Sequence, residues 1–271
     1  MINIHRIGLT FTIVYYKIRY CINVIIQEQP SGGMRENMGK LIEIKDMSKI
    51  YNPGENEVKA LDHVNLRIDT GEYVTIIGHS GSGKSTLMNM LGCLDVPTSG
   101  RYFLCGADVS EMTDDELSDI RNLEIGFIFQ GFNLIQSLTA VENVELPLIY
   151  RGIGKRERHR LAVESLEKVG LSHRMDHKPS QMSGGQQQRV AIARAIAAAP
   201  PVILADEPTG NLDSSSTEEI IGILRSLHED GRTVIIITHD NDIAEKADRV
   251  ICIKDGKIVD DYMNADRQKE G

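Results

Sequence analysis

Nine residues, Gly78 to Thr86, read GHSGSGKST and constrain this chain more than any other stretch. They follow the apolar run Tyr73-Val74-Thr75-Ile76-Ile77 and precede Leu87-Met88-Asn89-Met90-Leu91. Strand, glycine-rich turn and helix, in that order, are what a phosphate-cradling loop requires. Gly78, Gly81 and Gly83 let the backbone turn sharply and aim successive N–H groups at an anion, with His79, Ser80 and Ser82 between them. A helix opening at Lys84 adds the positive end of its dipole. Lys84 can then reach the β- and γ-phosphates, Ser85 can ligate Mg²⁺, and Thr86 completes the loop. An ordinary glycine-rich turn with an incidental lysine leaves this full set of positions unaccounted for. The expected ligand is a nucleoside triphosphate.

The flanking pattern gives the fold class. Leu41-Ile42-Glu43-Ile44 alternates as a strand, and Val64, Leu66 and Ile68 alternate with Asn65 and Arg67. Two β-rich segments ahead of the phosphate loop predict an antiparallel sheet leaning on the main one. After the loop helix, Pro97–Gly100 reads as a turn, Arg101–Leu104 with Gly106 as a short hairpin, and 114–122 as a helix. Ile125–Phe129, Val202–Ala205 and Thr233–Thr238 are short apolar runs of the kind buried in parallel sheets. Between the first two lies a helical block from Thr139 to about Ser180, with Leu161, Leu166 and Val169 on one face. Ser183-Gly184-Gly185-Gln186 opens another helix, rich in small residues from Ala191 to Ala199 and stopped by Pro200-Pro201. Ser215-x-x-Glu218 is a capping box for a helix carrying Ile220, Ile223, Leu224 and Leu227, and Asp255-Gly256 joins a last hairpin. The expectation is an α/β fold: a P-loop core with a mainly parallel sheet, an N-terminal antiparallel β subdomain, and an inserted helical subdomain at about 131–185.

Residues 1–37 read differently from the domain at 38–271. The longest uncharged stretch there, Ile7–Tyr16, is ten residues, interrupted afterwards by Lys17 and Arg19. A bilayer span needs roughly 20, and no small-residue cleavage site follows the apolar part. Three readings stand: a mis-assigned start with Met34 or Met38 as the true one, a disordered tail, or a basic, apolar membrane-surface anchor. We expect the segment to be dispensable. The net charge of −9 opposes broad nucleic-acid binding. Cys21, Cys93, Cys105 and Cys252 lie far apart, without metal-ligand spacing, which suits a reduced, cytoplasmic protein.

Chemistry concentrates at strand ends. Asp206 closes an apolar strand, where a carboxylate facing the phosphate loop can hold Mg²⁺. Its neighbour Glu207 is expected to turn the other way and to orient or deprotonate the attacking water. His239 ends the next buried strand and should emerge on the same edge, near the γ-phosphate. Gln130 also ends a strand, and its amide can bridge metal and water. Ser183-Gly184-Gly185 at a helix start is a second anion site, with exposed N–H groups and a hydroxyl.

GHSGSGKST, SGGQ at Ser183, VILADE at Val202 and the later His239 resemble the ATP-binding subunit of ABC transporters, over about residues 40–260. The resemblance implies that Tyr51 stacks on adenine and that Lys84, Ser85 and Thr86 hold phosphates and Mg²⁺. It makes Gln130 the Q-loop residue, Ser183–Gln186 the signature, Asp206 a metal support and Glu207 the catalytic base. Asp213 would belong to the D-loop, and His239 would be the switch histidine. It further implies a homodimer on ATP binding, each signature completing the partner's site. Asn133–Gly152 and DEPTGNLD at Asp206 look like the macrolide-export and lipoprotein-release branch. Met182 departs from the family's usual leucine, a volume-conserving change. A separate membrane permease is then the expected partner, contacted through Gln130–Gly152 with Phe132, Leu134, Leu138, Leu146, Leu148 and Tyr150. The chain would sit at the cytoplasmic face of the membrane. The alternative is a non-transport ABC ATPase that regulates a cell-division or cell-wall hydrolase complex.

Overall fold

A computed structural model describes residues 39–54 and 56–265, so the expectations for 1–37 lie outside the described residues. The chain opens with two long strands, β1 (Lys40–Tyr51) and β2 (Val58–Asp69), before β3 (Tyr73–Ile77) and helix α1 (Lys84–Leu91). Then come β4 (Ser99–Leu104), β5 (Ala107–Asp108), α2 (Asp114–Glu124) and β6 (Ile125–Phe129). The helical block holds α3 (Ala140–Tyr150) and α4 (Lys155–Lys168), followed by α5 (Gly184–Ile196). Strand β7 (Val202–Asp206), α6 (Ser214–Glu229), β8 (Thr233–Thr238), α7 (Asn241–Glu245) and the hairpin β9 (Arg249–Lys254) and β10 (Lys257–Met263) complete it.

The strands form two sheets. One is antiparallel, in the order β2-β1-β4-β5; the other has six strands, in the order β10-β9-β3-β8-β7-β6. In the second sheet every neighbouring pair is parallel except β9 with β10. Its period of two divides the core. Val234 and Ile236 of β8 join the α3–α6 side, while Ile235 and Ile237 join the side facing α1, α2 and the antiparallel sheet. Such burial on both faces is why these strands read as unbroken apolar runs. Because the strands are parallel, Ile77, Phe129, Asp206 and Thr238 all finish at one edge.

Several boundaries differ from the sequence reading for local reasons. Strand β1 continues past Ile44 to Tyr51 through an irregularity at Asp46, whose φ is 50°, so the simple alternation breaks midway. Ser99 and Gly100 belong to β4 rather than to a turn. A Cβ on Gly100 would lie 2.3 Å from Asp46 O, so only glycine lets β4 pass that irregularity. Helix α6 is capped by Asp213, whose carboxylate accepts the Ser216 N–H at 2.8 Å, and not by a Ser215–Glu218 box. The helical block ends its regular helix at Lys168, with 3₁₀ turns at Ser172–Arg174 and Pro179–Gln181.

The helices after β6 share one hydrophobic cluster with the sheet, in which Val144, Leu148 and Leu166 stand beside Ile128, Ile203 and Ile236. Polar latches reinforce it. The Arg151 guanidinium donates to Leu123 O at 2.8 Å, to Ala198 O at 2.6 Å, and to Asn122 O. Beside it, burial pushes the Glu124 carboxyl above its ordinary range, opposed by the Cys105 hydrogen bond and the Arg151 charge.

Leu148 is therefore core, against the expectation that it faces a partner, whereas Tyr150, two residues on, is 82% exposed. Leu148→Ala should cost about 2–5 kcal/mol of unfolding free energy in denaturant titration. Tyr150→Glu should leave the midpoint within error, and equal losses would mean that the two side chains share an environment.

Candidate nucleotide site

Between β3 and α1 the chain forms a loop whose backbone geometry depends on glycine. Gly81 and Gly83 have φ of 78° and 105°, and a Cβ on Gly83 would meet Ala60 O at 2.6 Å. A Cβ on Gly78 would lie 2.3 Å from Ile253 O, so the loop rests directly on β9. Helix α1 begins without a side-chain cap, which leaves its first N–H groups to a ligand. The Lys84 ammonium donates to Gly78 O at 2.6 Å and His79 O at 2.9 Å, closing the loop around its own charge.

This loop forms the floor of a cleft of about 1100 Å³. Gly78–Gly81 and Gly83–Thr86 line it, opposite Gln130, Asp206, Glu207 and His239. All the strand-end residues singled out from the sequence thus converge here. Asp206 is half-buried, and burial pushes its carboxyl above the ordinary range; the Glu207 charge adds to this and Lys84 opposes it. Glu207 does not turn away from Asp206 as strand alternation implied. Its φ of 44° breaks the strand, and both carboxylates line the one cleft.

The Glu207 carboxylate accepts the Thr238 hydroxyl at 2.9 Å, the His239 backbone N–H at 3.0 Å and the His239 Nδ1–H at 2.7 Å. Gln130 lies against Gly210, where a Cβ would come within 2.5 Å of its Nε2. Asn211 donates to Gln130 O at 3.0 Å. Among the described residues no group of three His, Cys, Asp or Glu side chains gathers for a metal. The hard-oxygen set of Ser85, Asp206 and Gln130 still suits Mg²⁺, which takes one or two carboxylates plus phosphate oxygens.

Three expected site elements lie elsewhere. Tyr51 does not line the cleft; its hydroxyl donates to Asp95 at 3.2 Å and its ring sits under the Lys49 ammonium. Ser183–Gln186 forms the N-terminus of α5, where Ser183 Oγ accepts the Gln186 N–H at 3.3 Å and Gln186 Oε1 accepts the Ser183 N–H at 3.1 Å. Asp213 caps α6. None of these lines the cleft of its own chain.

Sequence reasoning missed the cleft's apolar rim, Val58 and Val259, exposed by 54% and 59%. A valine starting a strand among polar neighbours was the available signal. It also missed Gln188, fully buried, which donates to Pro208 O at 2.6 Å and to Phe129 O at 3.4 Å. A glutamine in a helix of small residues gives its type but not its partners.

A phosphate loop at the strand ends of a parallel sheet, facing paired acids and a histidine, defines a P-loop nucleoside triphosphatase. Residues 61–210 match the family model described as ABC transporter. The chain is 55% identical over 224 residues to the macrolide export ATP-binding/permease protein MacB of Hyphomonas neptunium, covering 83% of this chain but 35% of that protein. It is 53% identical over 219 residues to the uncharacterized ABC transporter ATP-binding protein YvrO of Bacillus subtilis, covering 81% of this chain and 96% of the relative. The dimeric structure of the ATP-binding cassette MJ0796 bound to ADP and Pi superposes with a TM-score of 0.76 at 49% identity, over 82% of this chain and 98% of that one. The chain belongs to the ABC transporter family, with the family's ATPase fold, and carries its ATP-binding, ATP-hydrolysing domain.

Lys84→Ala should lower ATP affinity at least about tenfold, the weight of one charge-assisted hydrogen bond, with the circular dichroism spectrum unchanged. Gly78→Ala should disturb the loop through its contact with β9 and weaken ATP in the same calorimetric titration. Wild-type affinity in both would remove the phosphates from this loop.

Proposed function

We propose that this chain is the motor subunit of an exporter or lipoprotein-release transporter, working as an ATP-bound homodimer on a separate permease. The observation that carries the reading is the convergence of Lys84, Asp206, Glu207 and His239 on one cleft. In it, loop N–H groups and Lys84 hold the β- and γ-phosphates, while Ser85, Asp206 and Gln130 hold Mg²⁺. When bound, such a cation would neutralise negative charge on the phosphates. Glu207 accepts a proton from the attacking water, and His239, tied to Glu207 through Nδ1, presents its exposed ring toward the γ-phosphate. Val58, the cross-strand neighbour of Tyr51, and Val259 offer the adenine an apolar surface at the rim of the cleft.

The second anion site supports the dimer. Ser183–Gln186 is built at a helix N-terminus yet does not line its own chain's cleft, so it serves the cleft of a second copy, with Asp213 beside that interface. The structural relative is itself dimeric. No helix among the described residues is long and apolar enough to cross a membrane, and MacB is named as ATP-binding protein and permease together. YvrO, matched over 96% of its length, is named as an ATP-binding protein alone, and in this reading the permease is likewise another chain, with this one beside it on the cytoplasmic face. Its docking site is a groove of about 570 Å³ bordered by Leu94, Phe127, Phe129, Leu146, Tyr150 and Arg121. Of the six contact residues expected from the sequence, Leu146 and Tyr150 line this groove, while Leu134 and Leu148 are buried, Phe132 packs on the core and Leu138 is half-buried away from the groove.

Glu207→Gln should keep ATP binding, lose on the order of 10²–10⁴ in hydrolysis rate, and elute as an ATP-bound dimer. Wild-type turnover by this variant would sink the general-base role. Tyr150→Glu should leave basal ATPase intact and remove its stimulation by the permease in proteoliposomes; undiminished stimulation would move the docking site away from the groove.

A further inference from the structure

Thr238 ends β8 after a run of isoleucines and is 1% exposed. Its hydroxyl donates to Glu207 Oε2 at 2.9 Å and accepts the Asp240 N–H at 3.1 Å. An amide N–H only donates, so the hydroxyl accepts from Asp240 and gives its own proton to the carboxylate. The hydroxyl's one proton is therefore committed to Glu207.

The remaining bonds to that carboxylate, from His239 N–H at 3.0 Å and Nδ1–H at 2.7 Å, fall on Oε1 alone. A carboxylate held at one oxygen can pivot about it; held at both, its plane is set. Among the described residues Thr238 is the hydrogen-bond donor to Oε2. The backbone of Glu207 is already committed by its left-handed φ of 44° and by its N–H, which donates to Ile237 O at 2.8 Å. What remains free is the side chain, and Thr238 removes that freedom. Through Asp240 the same hydroxyl fixes the turn that carries His239 into α7.

We propose that Thr238 is a positioning residue for ATP hydrolysis, its buried hydroxyl setting the plane of the Glu207 carboxylate and the path of the His239 turn together. The inference rests on the reading of Glu207 as general base. A base acts only with its lone pair within hydrogen-bond reach of the water proton, and small displacements cost large factors in rate.

Steady-state ATPase kinetics on the full chain test it, with Thr238→Val as the near-isosteric loss and Thr238→Ser as the variant that keeps the oxygen. Thr238→Val should lower kcat roughly 10- to 100-fold with KM for ATP unchanged, the signature of an interaction needed in the transition state alone. Thr238→Ser should restore most of the rate. In a Glu207→Gln background Thr238→Val should add no further loss, because both act through one carboxylate. Should the valine variant fold poorly, Thr238→Ala must show the same split of kcat from KM. Wild-type kcat in both Thr238→Val and Thr238→Ala, a loss in Thr238→Ser equal to that in valine, or additive losses in the double variant would each overturn the positioning role. If Glu207→Gln itself turned over normally, the general-base reading would fall instead, and that result is separable from the others.

Discussion

Negative charge has to be gathered at one edge of the sheet, and the rest of the molecule follows from that requirement. Asp206 and Glu207 sit side by side where β7 ends, and burial together with the Glu207 charge raises the Asp206 carboxyl. Lys84 opposes this from the loop. A triphosphate brings more negative charge still. Such a site is workable only if positive groups are fixed in advance, since mobile ones would lose their advantage to reorganisation. The loop meets the need with backbone N–H groups that cannot move away, and β3 holds the loop because it lies between β8 and β9. A sheet buried on both faces is therefore part of the electrostatics: it keeps the partial charges where they were built.

Legibility in the sequence followed the kind of constraint. The phosphate loop was readable because its chemistry dictates residue types at fixed spacing, and nearby residues make the contacts. The parallel strands were readable because double burial leaves only apolar residues. Leu148 and Tyr150 were not separable: α3 is apolar around most of its circumference and contains Pro147, so its pattern does not say which face meets the core. The shared orientation of Asp206 and Glu207 was hidden for another reason. It depends on a left-handed backbone at a glutamate, which no spacing rule anticipates. The cap of α6 turned on a competition between Asp213 and Ser215, decided by where the chain leaves the TGNL turn.

Polar side chains that reach inward were the least legible class, and they connect the parts. Arg151, Arg194 and Gln188 each donate to backbone carbonyls far away in the chain: Asn122 to Leu123 and Ala198, Phe132 and Asn133, Phe129 and Pro208. A carbonyl has no residue identity, so the partner leaves no trace in the sequence. These carbonyls lie in the last turn of a helix, at the last residue of a strand, or a few residues beyond one, where the regular ladder runs out of donors. For the buried Pro208 carbonyl the loss of its donor would cost about 1–3 kcal/mol.

The placement of Gln188 links this to function. It lies on α5, whose N-terminus is the Ser183–Gln186 site, and its amide bonds Phe129 O, just before Gln130, and Pro208 O, just after Glu207. A shift of α5 along its axis would strain both bonds at once. Gln188 thereby ties α5 to the backbone beside both Gln130 and Glu207. Hydrophobic packing alone would not give this selectivity, because apolar contacts slide with little penalty, whereas a hydrogen bond in a dry core tolerates only a few tenths of an ångström. The two faces of the sheet differ accordingly: on one, α1 follows the phosphate loop, and on the other, α5 bonds the backbone beside Gln130 and Glu207.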